Sequence, residues 1–177
     1  MESEFKNSMK SIFSLEKKIS FYNMTPKKTL ELSRLFARLL RASDSVLLFG
    51  EIGSGKSFFA RGVIQSMMIN QSIRVQEVPS PTFTIVQTYD LLFPSVWHID
   101  LYRISDINEI FELDLEHGLE NGICLIEWPG KMSSLIPERN ISITFKSAEL
   151  NHEMRTIIIE LNGVGWKHVS DGITKRD

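Results

Sequence analysis

Hydrophobic patterning begins late in the chain. Residues 1–17 are mostly polar, and a polar N-terminal extension is expected there. Ile19 and Phe21, with the neighbouring Tyr22, then predict a short first strand. Thr25 is placed to cap a helix whose first position is Pro26, where the missing N–H costs nothing. Leu32, Leu35, Phe36, Leu39 and Leu40 recur at helical spacing, with Glu31, Arg34 and Arg38 off that face. A core-packing face is the plainer reading of this stripe; a partner-binding amphipathic helix is the alternative. The apolar run Val46–Phe49 predicts a strand that enters a glycine-rich turn. Beyond the turn, Phe59, Val63, Ile64 and Met67 return to helical spacing, with Arg61 and Gln65 between them.

Residues 70–77 are a polar connection. Pro79 and Pro81 hold the next segment extended, and Phe83, Ile85 and Tyr89 fall on one face of an expected strand. A strand over Ser95–Asp100 leads to a helix capped by Ser105 or Asp106, with Ile107, Ile110, Phe111 and Leu115 on its apolar side and Gly118 and Gly122 at its end. The unbroken apolar run from Gly122 to Glu127 is typical of a strand buried on both faces of a parallel sheet. After Pro137, Ile141, Ile143 and Phe145, then Ile157, Ile159 and Leu161, alternate with other residues as two strands joined by a short loop. They predict an antiparallel hairpin. From Gly163 on, the tail is polar and expected to fray.

These elements, with the turn Gly50–Ser57 fitting the P-loop pattern G-x-x-x-x-G-K-S between a strand and a helix, predict an α/β protein of the P-loop NTPase type. Its sheet is expected to be mostly parallel, flanked by helices, with a C-terminal antiparallel hairpin. The organisation expected is an extension at 1–17, one ATPase domain at 18–162 and a tail at 163–177. A chain of 177 residues suits one domain with a proper core. Net charge −2 argues against gripping bare nucleic acid, since that rests on neutralising phosphates. The lone Cys124 leaves no internal disulfide and fits a reducing cytosol. No apolar stretch approaches membrane-spanning length, and no signal-peptide pattern opens the chain, so a cytoplasmic location with no membrane attachment is expected.

The candidate chemistry lies in the turn. Gly50-Glu51-Ile52-Gly53-Ser54-Gly55-Lys56-Ser57 fits the P-loop pattern, between a strand and a helix as that pattern requires. Its glycines let successive N–H groups turn inward as a cradle for phosphate oxygens, above the positive end of the helix dipole. Lys56 is placed for the outer phosphates and Ser57 for Mg²⁺. A nucleoside triphosphate with Mg²⁺ is the expected ligand. Two acids, Asp100 and Glu127, end strands where α/β sheets place their ligands. Glu127 has the better strand context and is assigned to Mg²⁺ beside Ser57; Asp100 becomes the water-positioning or outer-shell group, and the two roles can be exchanged. Thr82 is either a strand-entry turn residue or a threonine that senses the γ-phosphate. His98 is expected to be a strand residue rather than a metal ligand, with no Cys or His partner at ligand spacing. Thr174-Lys175-Arg176-Asp177 matches a guanine-specificity step literally, but no apolar strand precedes it and no Asp-x-x-Gly occurs, so ATP is preferred.

The P-loop, Ser80-Pro81-Thr82-Phe83-Thr84, His98-Ile99-Asp100-Leu101-Tyr102-Arg103 and Ile126-Glu127-Trp128-Pro129 occur in that order. Together they closely resemble the TsaE family, the bacterial ATPases of tRNA threonylcarbamoyladenosine synthesis, over roughly residues 19–161. The resemblance implies a compact domain that binds and hydrolyses ATP with Mg²⁺. It implies action on a partner complex of TsaD-like and TsaB-like proteins, with tRNA reached only through that complex. It makes Ser57 and Glu127 the Mg²⁺ ligands, wraps Ile52–Ser57 around the phosphates, puts Thr82 and Asp100 near the γ-phosphate, and lets Trp128 report nucleotide binding. Tyr102 and Arg103 become candidates for partner or switch contacts, and the start of the first helix near Thr25 and Pro26 for the adenine side. Two features depart from the family: Gly130-Lys131 stand where an acid is common, and Asn151-His152 where a Gly-Arg step is often found. The alternatives are a small-molecule P-loop kinase, which the acidic segment Ser105–Asn121 does not favour, and a nucleotide-gated binding module without useful hydrolysis.

Overall fold

The structure, a computed structural model, describes residues 18–148 and 154–174. The expected N-terminal extension, Asn151-His152 and the last three residues lie outside the described residues. The strands are β1 (Lys18–Met24), β2 (Ser45–Phe49), β3 (Val86–Tyr89), β4 (Val96–Asp100), β5 (Ile123–Glu127), β6 (Asn140–Ser147) and β7 (Arg155–Asn162). The helices are α1 (Pro26–Leu39), α2 (Lys56–Asn70), α3 (Ile107–Phe111), α4 (Leu115–Asn121) and α5 (Lys167–Thr174), and a 3₁₀ segment spans Pro129–Leu135. Thr25 caps α1 as expected: its side chain accepts from the Lys28 N–H, and Pro26 takes the first helical turn.

Among the described residues, seven strands form one sheet in the order β1-β7-β6-β2-β5-β4-β3. Its centre, β6-β2-β5-β4, is parallel, and both flanks are antiparallel, so the sheet is mixed and less parallel than the sequence suggests. The C-terminal hairpin is present as β6 and β7, and its first strand runs parallel to β2.

Period-two alternation divides the interior into two cores. Val46, Leu48, Ile123 and Leu125 face a large core shared with α1, α2 and α5. Leu47, Cys124 and Ile126 face a smaller core with Ile99, Ile110, Leu115 and Met132. Apolar residues on both faces explain why β5 reads as an unbroken hydrophobic run. The completely buried side chains of these two strands hold the carboxyl ends of β2, β4 and β5 side by side, which positions the site.

Three local expectations are corrected. The strand expected from Phe83 begins at Val86, because the Ile85 N–H closes a turn onto the Pro81 carbonyl at 2.6 Å and Ile85 adopts φ 65°. Phe83 is 82% exposed on that turn. The single helix expected after Asp106 is two helices broken at Asp114, which takes the left-handed conformation that Asp tolerates, and Phe111 points to solvent. The tail does not simply fray: Trp166, Val169 and Ile173 are buried and seat α5 against α1. Trp166 Nε1 donates to the Asn162 carbonyl, and the Arg139 guanidinium lies 3.7 Å from the Trp166 ring centroid, with Arg139 in turn paired to buried Asp44 at 2.8 Å.

Candidate functional site

The loop between β2 and α2 is built around backbone that only glycine accepts comfortably. Gly50 has φ 143°, and a Cβ there would stand 2.6 Å from Ser54 Oγ and 2.7 Å from the Phe145 carbonyl. The chain therefore folds tightly back onto α2. Glu51, Ile52 and Gly53 form the exposed rim, whereas Ser54 and Lys56 are buried. Ser54 Oγ is buried with no partner. The cradle is braced from outside by Arg155, the first residue of β7, which donates to the carbonyls of Ser54 at 3.1 Å and Gly53 at 3.3 Å. Arg155 also pairs in the sheet with Met24, two residues before Pro26, and so links the entrance of α1 to the loop.

Lys56 Nζ donates to the carbonyls of Gly50 and Glu51, both at 2.8 Å, curling back over the cradle. It lies 4.1 Å from the centroid of the Trp128 ring, which itself packs 5.0 Å from Tyr102. Trp128 holds φ 58°, uncommon for a bulky residue, and this turn immediately after Glu127 brings the indole to the lysine. Burial lowers the Lys56 pKa from its ordinary 10.5, while the charges of Glu127 and Asp100 pull it back upward.

The two strand-end acids lie at one level, since Asp100 and Glu127 are direct partners in the parallel β4–β5 ladder. Both are almost completely buried. Ser57 Oγ donates to Glu127 Oε2 at 2.8 Å, so the first turn of α2 meets the end of β5. The other oxygen, Oε1, lies 2.9 Å from His98 Nε2. Asp100 Oδ2 accepts from Thr82 Oγ1 at 2.7 Å, and Oδ1 accepts from the Tyr102 N–H at 2.9 Å. Ser80 Oγ stands 2.9 Å from the Thr82 hydroxyl and extends this chain into the Pro81 loop. Arg103 rests over Phe83 at 4.7 Å, closing the loop's outer side.

A family model described as "Threonylcarbamoyl adenosine biosynthesis protein TsaE" matches residues 23–157. The chain belongs to the TsaE family. A tRNA threonylcarbamoyladenosine biosynthesis protein TsaE from Rickettsia conorii is 33% identical over 132 residues, covering 75% of this chain and 73% of the relative. The protein of that name from Bacillus subtilis is 27% identical over 161 residues, 91% of this chain and 97% of its own. Among solved structures, the crystal structure of Bacillus subtilis YdiB superposes with a TM-score of 0.65 at 24% identity, over 85% of this chain and 90% of that one, which supports the fold.

Every site residue expected from the sequence falls within the TsaE match, from Pro26 to Glu127. The structure brings Ser57 to Glu127 and Thr82 to Asp100 by separate hydrogen bonds at the adjacent ends of β5 and β4, leaves Lys56 within the field of both acids, and places Pro26 at the first turn of α1. A cavity of about 310 Å³ between α2 and β3, lined by Met68, Ile73, Tyr89 and Leu92 among others, contains none of them. Two further residues belong to the neighbourhood without a site role expected from the sequence: Arg155, and His98, expected only as a strand residue. Arg155 sits on β7 outside every quoted motif. His98 lies two positions before Asp100, so period two puts both on one face of β4, and that spacing was the available signal.

The donor set suits a hydrated cation on a phosphate better than an all-protein metal cage. Among the described residues no group of three or more His, Cys, Asp or Glu could hold a metal. Ser57 and Glu127 bring one hydroxyl and one carboxylate together beside the glycine loop, a donor pair of the kind Mg²⁺ takes when phosphates and water supply the rest. Among the described residues, no helix is long and apolar enough to cross a membrane.

Proposed function

We propose that this TsaE-family chain binds ATP with Mg²⁺, hydrolyses it slowly on its own, and spends that turnover on a TsaD–TsaB-type partner complex in tRNA threonylcarbamoyladenosine modification. The observation that carries the reading is the contact of Ser57 with Glu127 at the mouth of the glycine loop. Gly50–Ser57 would wrap the phosphates with backbone N–H groups. Lys56 would leave the Gly50 and Glu51 carbonyls for the outer phosphates, carrying its charge to them. Ser57 and Glu127 would hold Mg²⁺, which as a Lewis acid neutralises developing charge on the transferred phosphoryl group. Asp100 would orient the attacking water, with Thr82 as the loop contact that changes partner when the γ-phosphate is present. Pro26 and the start of α1 would lie on the adenine side.

Net charge −2 supports an indirect route to tRNA through the protein partners, in the cytoplasm. The kinase alternative needs an acceptor pocket with cationic residues on a covering helix. Here the segment Ser105–Asn121 carries Asp106, Glu109, Glu112, Asp114, Glu116 and Glu120 and no Lys or Arg.

The test is ATP hydrolysis by the purified protein, alone and with TsaD–TsaB partners, with Lys56→Ala as control. Stimulation by the partners that is lost in the variant is expected. Phosphate transfer to a small acceptor, with no stimulation, would overturn the reading.

A further inference from the structure

Glu127 can serve a cation only if its carboxylate presents one oxygen to the cradle and keeps it there. Ser57 satisfies Oε2, on the cradle side. Oε1 points the other way, into the interior, where no water is available to it: Glu127 is 1% exposed and His98 beside it 0%. A carboxylate oxygen in such a place needs a donor or the side chain turns away. His98 is that donor, with Nε2 2.9 Å from Oε1. Its own ladder partner is Leu125, so the ring reaches diagonally along the face of the sheet to the residue two further on.

The rest of the imidazole decides which nitrogen carries the hydrogen. Nδ1 is buried and has no hydrogen-bond partner among the described residues. A hydrogen there would be a buried donor with no acceptor, whereas a bare Nδ1 leaves only an unused lone pair, and Glu127 takes the Nε2–H. The β4 backbone and the surrounding side chains fix the ring, so the donor is pre-aimed before any ligand arrives.

We propose that His98 is a positioning residue for the cation: through a single Nε2–H bond to Oε1 it sets the rotamer of Glu127, and thereby commits Oε2 to Ser57 and Mg²⁺. The proposal rests on the Mg²⁺–nucleotide reading of the site and goes beyond it, because it assigns a role to a residue that itself touches neither ligand. Outer hydrogen-bond partners of metal ligands commonly carry ten- to a hundredfold in metal affinity, and that is the effect expected here.

The test compares two amides. In His98→Gln the side-chain N–H₂ reaches the position of Nε2; in His98→Asn it stops near the position of Nδ1. Both are polar and uncharged, and they differ in reach. Binding of a non-hydrolysable ATP analogue to the full chain is titrated by calorimetry at stepped Mg²⁺, and again in EDTA, with thermal unfolding as a check of folding. Expected is a Mg²⁺ midpoint raised about ten- to a hundredfold in His98→Asn, near wild type in His98→Gln, with EDTA-state affinity little changed in both. Equal midpoints for the two variants, or a loss in Asn that appears equally in EDTA, would overturn the proposal. A wild-type protein whose affinity ignores Mg²⁺ would overturn the underlying reading instead.

Discussion

Glu127 and Asp100 end neighbouring parallel strands at the same level, yet they are held by different kinds of structure. Glu127 is gripped by Ser57 from the first turn of α2 and by His98 from β4, both parts of regular elements. Asp100 is gripped by Thr82, on a turn between two prolines and an edge strand, and by the backbone just beyond its own strand. Helices and strands hold a side chain within narrow limits, while a loop can exchange its contacts. The difference teaches which acid suits which task. A metal ligand profits from a fixed carboxylate. A water-positioning group profits from a contact that can be released when the γ-phosphate offers Thr82 a better partner.

The largest effect should come from breaking the rigid side. Glu127→Gln keeps the size of the side chain but removes the charge assigned to the cation and replaces one of the two acceptor oxygens held by Ser57 and His98 with an N–H₂ donor, and ATP turnover should fall on the order of a thousandfold. Turnover within threefold of wild type would exclude Glu127 from both the metal and the water-positioning role. Asp100→Asn should lower turnover by roughly a hundredfold, in the range of a lost general base, while leaving nucleotide affinity nearly unchanged by calorimetry. A matching loss of affinity would place Asp100 at the metal. Thr82→Ala removes one hydrogen bond to a charged group and should cost about tenfold in single-turnover hydrolysis. No change would make Thr82 a turn residue only.

The smallest effect concerns Lys56, which feels the charge of both acids. Burial lowers its pKa below 10.5, so its ammonium is lost at a lower pH than that of an exposed lysine. A bound triphosphate favours the charged form and raises the value again. Nucleotide affinity should therefore decline as pH rises from the free-state value toward the bound-state value, and be insensitive below that window. Lys56→Arg, which keeps its charge at these pH values, should bind without that alkaline decline; an identical decline in both would assign it to another group.

The contrast between the acids was partly legible in the sequence. Residue types and spacing declared the glycine loop, and an apolar run ending in a carboxylate marked Glu127. Alternation at Ile141–Phe145 and Ile157–Leu161 declared the hairpin, though not that β6 would lie parallel to β2. Local pattern says little about which strand an element chooses as a neighbour. The loop carrying Thr82 was harder: Ile85 and Tyr89 suggested a strand reaching back to Phe83, and only the turn at Pro81–Ile85 ends it. The role of His98 is hidden from local spacing, because its partner Glu127 is 29 residues away on the adjacent strand. Around Gly163–Asp177 the polar and glycine content masked Trp166, Val169 and Ile173, whose spacing of three and four is helical and whose side chains seat α5.

The central claim is the division of labour between the two acids, and the most direct measurement is the Mg²⁺ dependence of nucleotide affinity in wild type, Glu127→Gln and Asp100→Asn, taken side by side. Glu127→Gln should flatten the dependence while Asp100→Asn retains it. A flat response in Asp100→Asn with a normal one in Glu127→Gln would contradict the claim.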